Sequence, residues 1–262
     1  MVRNGGDVQL IRRFDLTGKV AIVTGGNGGI GRAIAIGLAQ TGADIVIADQ
    51  NDDKVAEVTD EIKSLGRRCM GIKCDATNYD DITTTVEKTV RECGGLNILV
   101  NAAGTTGGGP PQSMLEDEWD RVVDINLKAS FRFCQAAYPA LVKAGGGKII
   151  NIGSIYAFLG SAVAVHYSVS KGGVVQMTKS LALVWANDNI QVNAILPGFI
   201  RTGMTTAVIE NEDFYQSIIQ RSPAGRFGEP SDISPAAVFL ASSASDFITG
   251  QSIVIDGGYS VA

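Results

Sequence analysis

Seven short runs of apolar, mostly β-branched residues recur along the chain, and longer stretches with helical spacing separate them. The runs are continuous rather than alternating, which is typical of strands buried on both faces of a sheet. They are Val20–Thr24, Asp44–Ala48, Cys69–Lys73, Ile98–Asn101, Lys148–Ile152, Gln191–Leu196 and Ser252–Ile255. The helices predicted between them include Ile30–Thr41, Asp53–Leu65, Tyr79–Glu92, Leu115–Val142 and Tyr167–Trp185.

This alternation of strands and helices constrains the fold to the α/β class. Parallel strands joined by right-handed helical crossovers give a doubly wound sheet that carries helices on both faces. No break in composition divides the 262 residues, so we expect a single domain over residues 16–262 behind a polar N-terminal extension over residues 1–15. Residues 199–223 are predicted to form an irregular-to-helical insertion near the C-terminal end of a strand.

Charge and cysteine usage exclude several classes of protein. The formal net charge is −5 and the sequence pI is about 5.0, which argues against nucleic acid or an anionic membrane surface as the main partner. No apolar run approaches the ~18 residues of a membrane span, and the N-terminus lacks the apolar core of a signal peptide. Four scattered cysteines and one histidine predict no metal site. We therefore expect a cytoplasmic protein.

Glycine accounts for 32 of the residues, and its first cluster lies where the first predicted strand meets the first predicted helix, within Thr24–Gly31. Glycines there permit a tight turn and let a pyrophosphate approach the backbone, while the helix N-terminus offers unpaired N–H groups. An ordinary strand–helix turn is the alternative. The position at the first such junction favours a dinucleotide site.

Asp49 ends the second predicted strand. A carboxylate at this place can accept hydrogen bonds from the adenosine ribose and would repel a 2′-phosphate. No lysine or arginine occurs at residues 26–29 or 48–52 to neutralise such a phosphate. The sequence therefore predicts NAD in preference to NADP, although Asp49 could instead be a helix N-cap.

Tyr167 and Lys171 are four residues apart at the start of a predicted helix and so share one face. A nearby ammonium lowers the pKa of a phenol, and such a pair can act as general acid and base on an alcohol or a carbonyl. A solvated helix face is the alternative. Two polar residues add weight to the catalytic interpretation: Ser154 follows a predicted strand, and Asn126 lies within an otherwise apolar helical stretch.

The chain resembles the short-chain dehydrogenase/reductase family from about Leu16 to the C-terminus, because it carries the family's motifs in the family's order. The motifs are Thr24–Gly31, Cys74-Asp75, Asn101-Ala102-Ala103-Gly104, Asn126, Ser154, Tyr167-x-x-x-Lys171 and Pro197-Gly198. The resemblance implies a single-domain Rossmann fold with a seven-stranded parallel sheet, an NAD(P)-dependent alcohol dehydrogenase activity and a homotetramer.

The resemblance also implies roles for individual residues. Tyr167 would be the general acid/base, Ser154 would hydrogen-bond the reacting oxygen, and Asn126 would fix a proton-relaying water. Lys171 would lower the tyrosine pKa and hold the nicotinamide ribose. Asp75 and Ala76 would lie against the adenine, Asn101 against the adenosine ribose, and Ile200 and Thr202 against the carboxamide. The remaining implied cofactor contacts are Gly25, Asn27, Gly28, Gly29, Ile30, Asp49, Ala102, Gly104, Tyr167, Pro197 and Gly198.

The substrate side is predicted to consist of residues 105–114, 155–165 and the lid at 199–223, with a mixed apolar and polar lining. Its polar members include Tyr156, Arg201, Thr205 and Thr206. His166 points about 100° away from Tyr167 on a helix, so a structural or substrate-loop role is expected. The segments at residues 37–44 and 64–68 are similar in sequence to the sugar-acid dehydrogenases of the family. They lie on the cofactor side and do not contact the substrate.

The leading expectation is therefore the NAD-dependent interconversion of a secondary alcohol and a ketone on a carbohydrate-like substrate. A 3-oxoacyl thioester reductase and a hydroxysteroid-type dehydrogenase are the alternatives within the family. A non-catalytic dinucleotide-binding regulator is a third possibility; such proteins typically lose the tyrosine or the lysine, and both are present here.

Overall fold

The computed structural model describes residues 6–262 and contains one sheet of seven parallel strands in the order β3-β2-β1-β4-β5-β6-β7. The strands are β1 Val20–Thr24, β2 Asp44–Asp49, β3 Cys69–Lys73, β4 Ile98–Asn101, β5 Gly147–Ile152, β6 Ile190–Pro197 and β7 Ser252–Ile255. Each predicted run is a strand, and the bounds differ by one residue at most. The predicted α/β fold with a doubly wound parallel sheet is confirmed.

Helices cover both faces of this sheet. They are α1 Gly6–Arg12, α2 Gly29–Gln40, α3 Asp52–Ser64, α4 Tyr79–Cys93, α5 Glu116–Val123, α6 Ala129–Lys143, α7 Val165–Trp185, α8 Thr206–Glu210, α9 Glu212–Arg221 and α10 Pro230–Ala241. Alternate strand residues point to opposite faces, so Ala21 and Val23 join a core with α2, α3 and α10, whereas Ile22 joins one with α4, α6 and α7. The strands are thus buried on both sides, which explains their continuous apolar runs.

Helix α10 has no counterpart among the predicted helices. Pro230 lies in its first turn and Pro235 lies inside it. A proline within a segment of helical spacing argues against a continuous helix there. The structure nevertheless buries Ile233, Ala237 and Leu240 of α10 in the same core as α2. Tertiary packing therefore outweighs the local sequence signal here.

The predicted single helix Leu115–Val142 is wrong in one respect. It consists of α5 and α6, and a π-helical turn over Asp124–Lys128 lies between them. A π turn adds a residue to the helical repeat and rotates the side chains that follow. Asn126 lies inside this turn and is buried.

Residues 1–5 of the predicted N-terminal extension lie outside the described residues, whereas residues 6–15 and the predicted lid at 199–223 have defined structure. In the N-terminal extension, α1 is followed by Phe14, whose ring centroid lies 6.2 Å from that of Phe239 on α10. Leu16, where the domain is predicted to begin, is buried. The segment at 199–223, which is predicted to be a substrate lid, contains α8 and α9. Within the described residues, no helix is both long enough and apolar enough to cross a membrane.

Candidate functional site

The turn between β1 and α2 is shaped by glycines. Gly25 and Gly29 have φ of +64° and +51°, a conformation that side chains rarely adopt. A Cβ on Gly31 would overlap the carbonyl oxygen of Gly25, so helix and turn can meet only because residue 31 is glycine. By contrast, a Cβ on Gly28 would have no neighbour within 4 Å, so open space lies beside the turn.

The N-terminus of α2 differs from those of the next two helices. Asn51 and Asn78 cap α3 and α4 with their side chains, and both helices carry aspartates in their first turns. Helix α2 begins after Gly28, with no side-chain cap and no acidic residue in its first turn. Its leading N–H groups and the positive end of its dipole therefore face the open space beside Gly28, as the pyrophosphate of a dinucleotide requires.

Asp49 lies at the end of β2, next to this turn. Its Oδ1 accepts a hydrogen bond of 2.7 Å from Nδ2 of Asn27 and another of 3.2 Å from the backbone of Asn51. The alternative interpretation of Asp49 as a helix N-cap is wrong, because Asn51 caps α3. Arg32, a cation close to the turn, is paired with Glu61 at 2.7 Å.

The adjoining strand end carries Asp75 and Ala76. The backbone N–H of Cys74 donates to the carbonyl of Asp49, so the ends of β2 and β3 are neighbours. Oδ1 of Asp75 accepts from the backbone and the hydroxyl of Thr77, at 2.8 and 2.7 Å. One oxygen of this carboxylate is thus hydrogen-bonded within its own turn, while the residue Asp75 is exposed at the sheet edge.

Asn101, at the end of β4, is buried below the edge rather than exposed on it. Its amide donates to Asn151 Oδ1 at 2.8 Å and lies 3.3 Å from Cys134 Sγ. Only the backbone of Asn101 is left to face a cofactor. Ala102 and Ala103 each donate a backbone hydrogen bond of 3.1 Å to the Thr24 hydroxyl, which ties the end of β4 to the glycine turn.

The segment after β6 closes the other side of this edge. A Cβ on Gly198 would lie 2.6 Å from Asp256, so the chain passes close to the end of β7 after Pro197. Ile200 is buried, and Thr202 approaches the glycine turn so closely that a Cβ on Gly29 would lie 3.1 Å from its methyl group. Ile30 packs against the core beneath the turn. The start of the segment at 199–223 and the glycine turn therefore face the same space.

Tyr167, Lys171 and Ser154 come together beside this edge. The Lys171 ammonium nitrogen lies 5.7 Å from the centroid of the Tyr167 ring and donates a 2.8 Å hydrogen bond to the carbonyl of Ile152. Ser154 is buried two residues after β5, and its hydroxyl is close enough to the Tyr167 phenol to lower the pKa of that phenol. The solvated-face alternative is wrong, because Lys171 is only 4% exposed.

Burial perturbs both titrating groups. It lowers the pKa of Lys171 to about 8. It raises the pKa of Tyr167 above its ordinary value, and this outweighs the lowering by the hydrogen bond with Ser154. The expectation that a lysine neighbour gives the tyrosine a net lowered pKa is therefore not realised here, because removal from water is the larger influence.

Asn126 uses its whole side-chain amide within the protein. Its Oδ1 accepts from the backbone of Thr105 at 2.8 Å, while Nδ2 donates to the Thr105 carbonyl and to the Ser170 hydroxyl, both at 3.0 Å. A Cβ on Gly104 would lie 3.4 Å from Oδ1 of Asn126 and 3.6 Å from Nζ of Lys171. The π turn thus places Asn126 beside Lys171 and anchors the start of the loop at 105–109.

That loop is also held at its other end. The backbone of Gly109 donates to the carbonyl of Val163 at 2.9 Å. His166 is fully buried, with Nε2 3.6 Å from Glu118 Oε1, and a Cβ on Gly107 would collide with both side chains. His166 therefore packs against the loop at 105–109.

Several residues of this region were not predicted from the sequence. Thr24 joins two strand ends, the Ile152 carbonyl receives Lys171, and Arg221 stacks on the ring of Tyr259 near the lid. Thr24 belongs to the first glycine motif, where a buried hydroxyl after a strand is a usable signal. Arg221 and Tyr259 are distant in sequence, and no local pattern links them.

Comparisons with known proteins agree with this geometry. A profile of the family described as enoyl-(acyl carrier protein) reductase matches residues 25–260. The chain is 41% identical to 2-dehydro-3-deoxy-D-gluconate 5-dehydrogenase of Escherichia coli K12 over 95% of its own length and 98% of that protein. It is 37% identical to a 3-oxoacyl-[acyl-carrier-protein] reductase of Thermotoga maritima, over 93% and 98%.

Solved structures are similar over almost the whole chain. A short-chain type dehydrogenase/reductase from Mycobacterium marinum is 35% identical with a TM-score of 0.92, over 95% of this chain and 98% of that one. A gluconate 5-dehydrogenase from Burkholderia cenocepacia in complex with NADP and tartrate is 34% identical with a TM-score of 0.93, over 96% and 99%. A 7α-hydroxysteroid dehydrogenase complexed with NADH and 7-oxo glycochenodeoxycholic acid is 35% identical with a TM-score of 0.90, over 94% and 96%.

The parallel sheet, the uncapped helix after a glycine turn and the tyrosine–lysine–serine cluster occur together in a chain that these proteins match almost end to end. The chain belongs to the short-chain dehydrogenase/reductase family.

Proposed function

We propose that this oxidoreductase interconverts a secondary alcohol of a sugar acid and the corresponding ketone with NAD as the cofactor. The proposal rests on where the candidate catalytic residues lie relative to the predicted cofactor site. Tyr167, Ser154 and Lys171 lie beside the sheet edge at which the uncapped N-terminus of α2 faces open space. A dinucleotide held there by its pyrophosphate would extend along this edge toward the tyrosine.

The chain's own residues would manage the proton. A bound nicotinamide supplies the hydride acceptor or donor. During oxidation the phenolate form of Tyr167 takes the alcohol proton and becomes the phenol, and during reduction the phenol gives that proton back to the reacting oxygen. The Ser154 hydroxyl hydrogen-bonds the reacting oxygen. Lys171, held by the Ile152 carbonyl, presents its ammonium to the tyrosine ring and to the space beside Gly104. Asn126 holds Thr105 and Ser170 in place around it.

The preference for NAD rests on Asp49. Asn27 fixes its carboxylate at the end of β2, and Arg32 is paired with Glu61. A 2′-phosphate placed beside this carboxylate would meet like charge, whereas ribose hydroxyls would find an acceptor. Similar structures contain either coenzyme: the Burkholderia gluconate 5-dehydrogenase is in complex with NADP, and the hydroxysteroid dehydrogenase is in complex with NADH.

The proposed substrate class comes from the relatives and from the lining. Similar proteins include 2-dehydro-3-deoxy-D-gluconate 5-dehydrogenase and 5-keto-D-gluconate 5-reductase, and one relative's structure holds tartrate, a hydroxy acid. The predicted substrate lining contains the exposed apolar side chains Phe158 and Met204 together with the half-buried polar side chains Tyr156 and Thr205. The 37% identical acyl-carrier-protein reductase favours a 3-oxoacyl thioester as the second candidate substrate.

A panel of substrates tests this proposal. The purified protein is assayed with NAD and NADP against D-gluconate, 5-keto-D-gluconate, 2-dehydro-3-deoxy-D-gluconate, an acetoacetyl thioester and a hydroxysteroid. We expect turnover of at least one sugar acid, with a higher kcat/KM for NAD-linked than for NADP-linked reaction. Exclusive turnover of the thioester or of the steroid would contradict the proposed substrate class. Binding of NADH without any turnover would favour the non-catalytic regulator.

We also propose a homotetramer, because large apolar side chains remain exposed on the long helices and near the last strand. Phe131 and Val142 on α6 and Leu183 and Val184 on α7 are 40–83% exposed, and Phe247 before β7 is fully exposed. Exposed apolar groups in such number are typical of surfaces that associate. Light scattering at several concentrations should give four times the 27.4 kDa chain mass, and a Leu183→Arg variant should shift the distribution to smaller species.

The remaining proposals concern organisation and location. Residues 16–262 form the catalytic domain, residues 199–223 act as its substrate lid, and residues 1–15 are an accessory extension. Cys69, Cys74, Cys93 and Cys134 are all free thiols, which supports a reducing compartment such as the cytoplasm. Fractionation of the source cells tests the location.

A further inference from the structure

A row of aromatic rings leads from the catalytic cluster toward the lid. The ring of Tyr156 lies edge-on to that of Tyr167 and to that of Phe199, with centroid distances of 6.3 Å in both cases. Phe199 in turn lies edge-on to Tyr259, at 5.0 Å. These rings come from three separate parts of the chain and form one continuous wall between the reacting groups and the end of α9.

Arg221 stands at the far end of this wall. It is the last residue of α9, and its guanidinium carbon lies 4.3 Å from the centroid of the Tyr259 ring. Stacking of this kind stabilises a guanidinium and fixes the plane of its donors. The donors at the edge of that plane remain able to pair with a planar anion.

The stack is held by contacts between two chain segments. The backbone of Ala224 donates to the carbonyl of Gly257 at 3.0 Å, and a Cβ on Gly258 would lie 2.9 Å from Pro223. Asp256 accepts hydrogen bonds from the backbone of Gly258 and Ser260, at 2.9 and 2.8 Å. The segment that carries Tyr259 is therefore fixed against the segment that follows Arg221.

The other arginines of the lid region are already engaged. Arg201 hydrogen-bonds the Tyr215 hydroxyl at 2.8 Å and lies 3.3 Å from Glu229, while Arg226 pairs with Asp232 at 2.7 Å. Within the part of the chain that the structure describes, Arg221 forms neither an ion pair nor a hydrogen bond. Arg201, which the sequence predicts as part of the substrate lining, is thus less available to a ligand than Arg221.

We propose that Arg221 binds the carboxylate of the sugar-acid substrate and thereby selects acids over neutral polyols. This inference rests on the proposed function and extends it to a specificity residue. A guanidinium pairs with a carboxylate through two parallel hydrogen bonds, and a lysine cannot reproduce that geometry. The aromatic wall would lie along the carbon chain of the substrate, with the alcohol at Tyr167 and the acid at Arg221.

Tyr156 occupies the interval between these two ends. Burial raises the pKa of its phenol, and the charge of Arg221 acts on it in the opposite direction, so Arg221 is electrostatically coupled to the wall beside Tyr167. Among the described residues, the Tyr156 hydroxyl has no hydrogen-bond partner, and it can therefore serve an intermediate hydroxyl of a polyhydroxy acid. A steroid would leave both polar groups without a partner, at a cost in binding.

The test compares Arg221→Gln and Arg221→Lys with wild type, using D-gluconate and D-glucitol, which differ in carrying a carboxylate or a hydroxymethyl group at one end. Arg91→Gln serves as the control, because Arg91 is an exposed arginine on α4 whose partner is Glu92. Loss of a charge-assisted pair is expected to raise KM for the acid about 10- to 100-fold in Arg221→Gln, with much less change in kcat. Arg221→Lys should recover part of the loss, and the kcat/KM for glucitol should stay within about 3-fold of wild type.

Binding is read out independently of turnover. In the presence of NAD, D-gluconate should raise the Tm of wild type and of Arg221→Lys, but not that of Arg221→Gln. The inference would be overturned if Arg221→Gln lowered kcat/KM equally for the acid and for the polyol. It would also be overturned if Arg221→Gln left both the KM for gluconate and the gluconate-dependent rise in Tm unchanged. A wild type whose Tm does not respond to gluconate would overturn it as well. Failure of the proposed function looks different: gluconate would bind through Arg221 while no sugar acid in the panel is turned over by wild type.

Discussion

The side-chain amide of Asn27 donates a 2.7 Å hydrogen bond to the carboxylate of Asp49, and so joins the glycine turn after β1 to the end of β2. The bond fixes a negative charge beside the open space at the N-terminus of α2. The same carboxylate accepts the backbone N–H of Asn51, which leads into α3. The proposed preference for NAD therefore rests on a group that the fold already orients.

Asp49→Ser is predicted to narrow the preference for NAD. Removing the carboxylate removes its repulsion of a 2′-phosphate and its acceptors for ribose hydroxyls, so the ratio of kcat/KM for NAD to that for NADP should fall at least about 10-fold. Asp53→Ser, at an exposed position in the first turn of α3, is the control and should leave the ratio unchanged. A wild type that strongly prefers NADP would refute the interpretation of Asp49.

Lys171→Met is predicted to abolish turnover and to stabilise the fold near neutral pH. The pKa of Lys171 in the folded protein is about 8, below the value near 10.4 of an unfolded chain, because its burial penalises the charged form. The unfolded chain therefore binds more protons between these two values, and wild-type stability rises as the pH rises through that interval.

The methionine variant lacks this dependence. Its free energy of unfolding should exceed that of wild type by about 1–3 kcal/mol at pH 7, and the difference should shrink toward pH 10. The loss of the hydrogen bond to the Ile152 carbonyl works against the gain and is present at every pH. Urea unfolding at several pH values measures the difference, and a difference that does not change with pH would show that Lys171 is not a penalised charge.

Gly107→Ala is predicted to disturb the substrate-side loop. A Cβ at this position would lie 2.6 Å from Nε2 of the fully buried His166 and would overlap a carboxylate oxygen of Glu118. We expect a loss of about 1–3 kcal/mol in the free energy of unfolding, together with a reduced kcat/KM. Gly160→Ala is the matched control, since a Cβ there meets no atom within 4 Å.

A second variant tests whether steric crowding around the new Cβ, rather than another effect of the alanine, causes the loss of stability. Adding Glu118→Ala to Gly107→Ala removes one of the two colliding groups and should restore part of the lost stability. Stability losses that simply add in the double variant would count against the packing of Gly107 on this pair.

The sequence was sufficient to locate the strands of the sheet and to name the members of the candidate catalytic cluster. Strands buried on both faces have continuous apolar runs, so all seven were located, and Tyr167 with Lys171 could be placed on one helical face from their spacing. Helix α10 was missed because Pro235 opposes a helix locally while packing against α2 favours it. The π turn at Asn126 was missed because no residue pattern distinguishes it from an α-helix.

Other features arise only from tertiary structure. The net raised pKa of Tyr167 depends on how deeply the phenol is buried, which the spacing of Tyr167 and Lys171 does not specify. The amide of Asn101 is directed into the core by Asn151 on the neighbouring strand, an orientation that the family resemblance of the sequence does not specify. Arg221 and Tyr259 meet because the end of β7 returns to the lid.

The central claim is that the Tyr167 phenol transfers the proton in a sugar-acid dehydrogenase reaction. The most direct measurement is the steady-state kcat of Tyr167→Phe on the best sugar acid, together with NADH binding followed by fluorescence. Removing one hydroxyl leaves the ring contacts with Tyr156 and Lys171 possible, so NADH affinity should stay within about 3-fold of wild type while kcat falls about 1,000-fold. Turnover within 10-fold of wild type, at unchanged NADH affinity, would contradict the account.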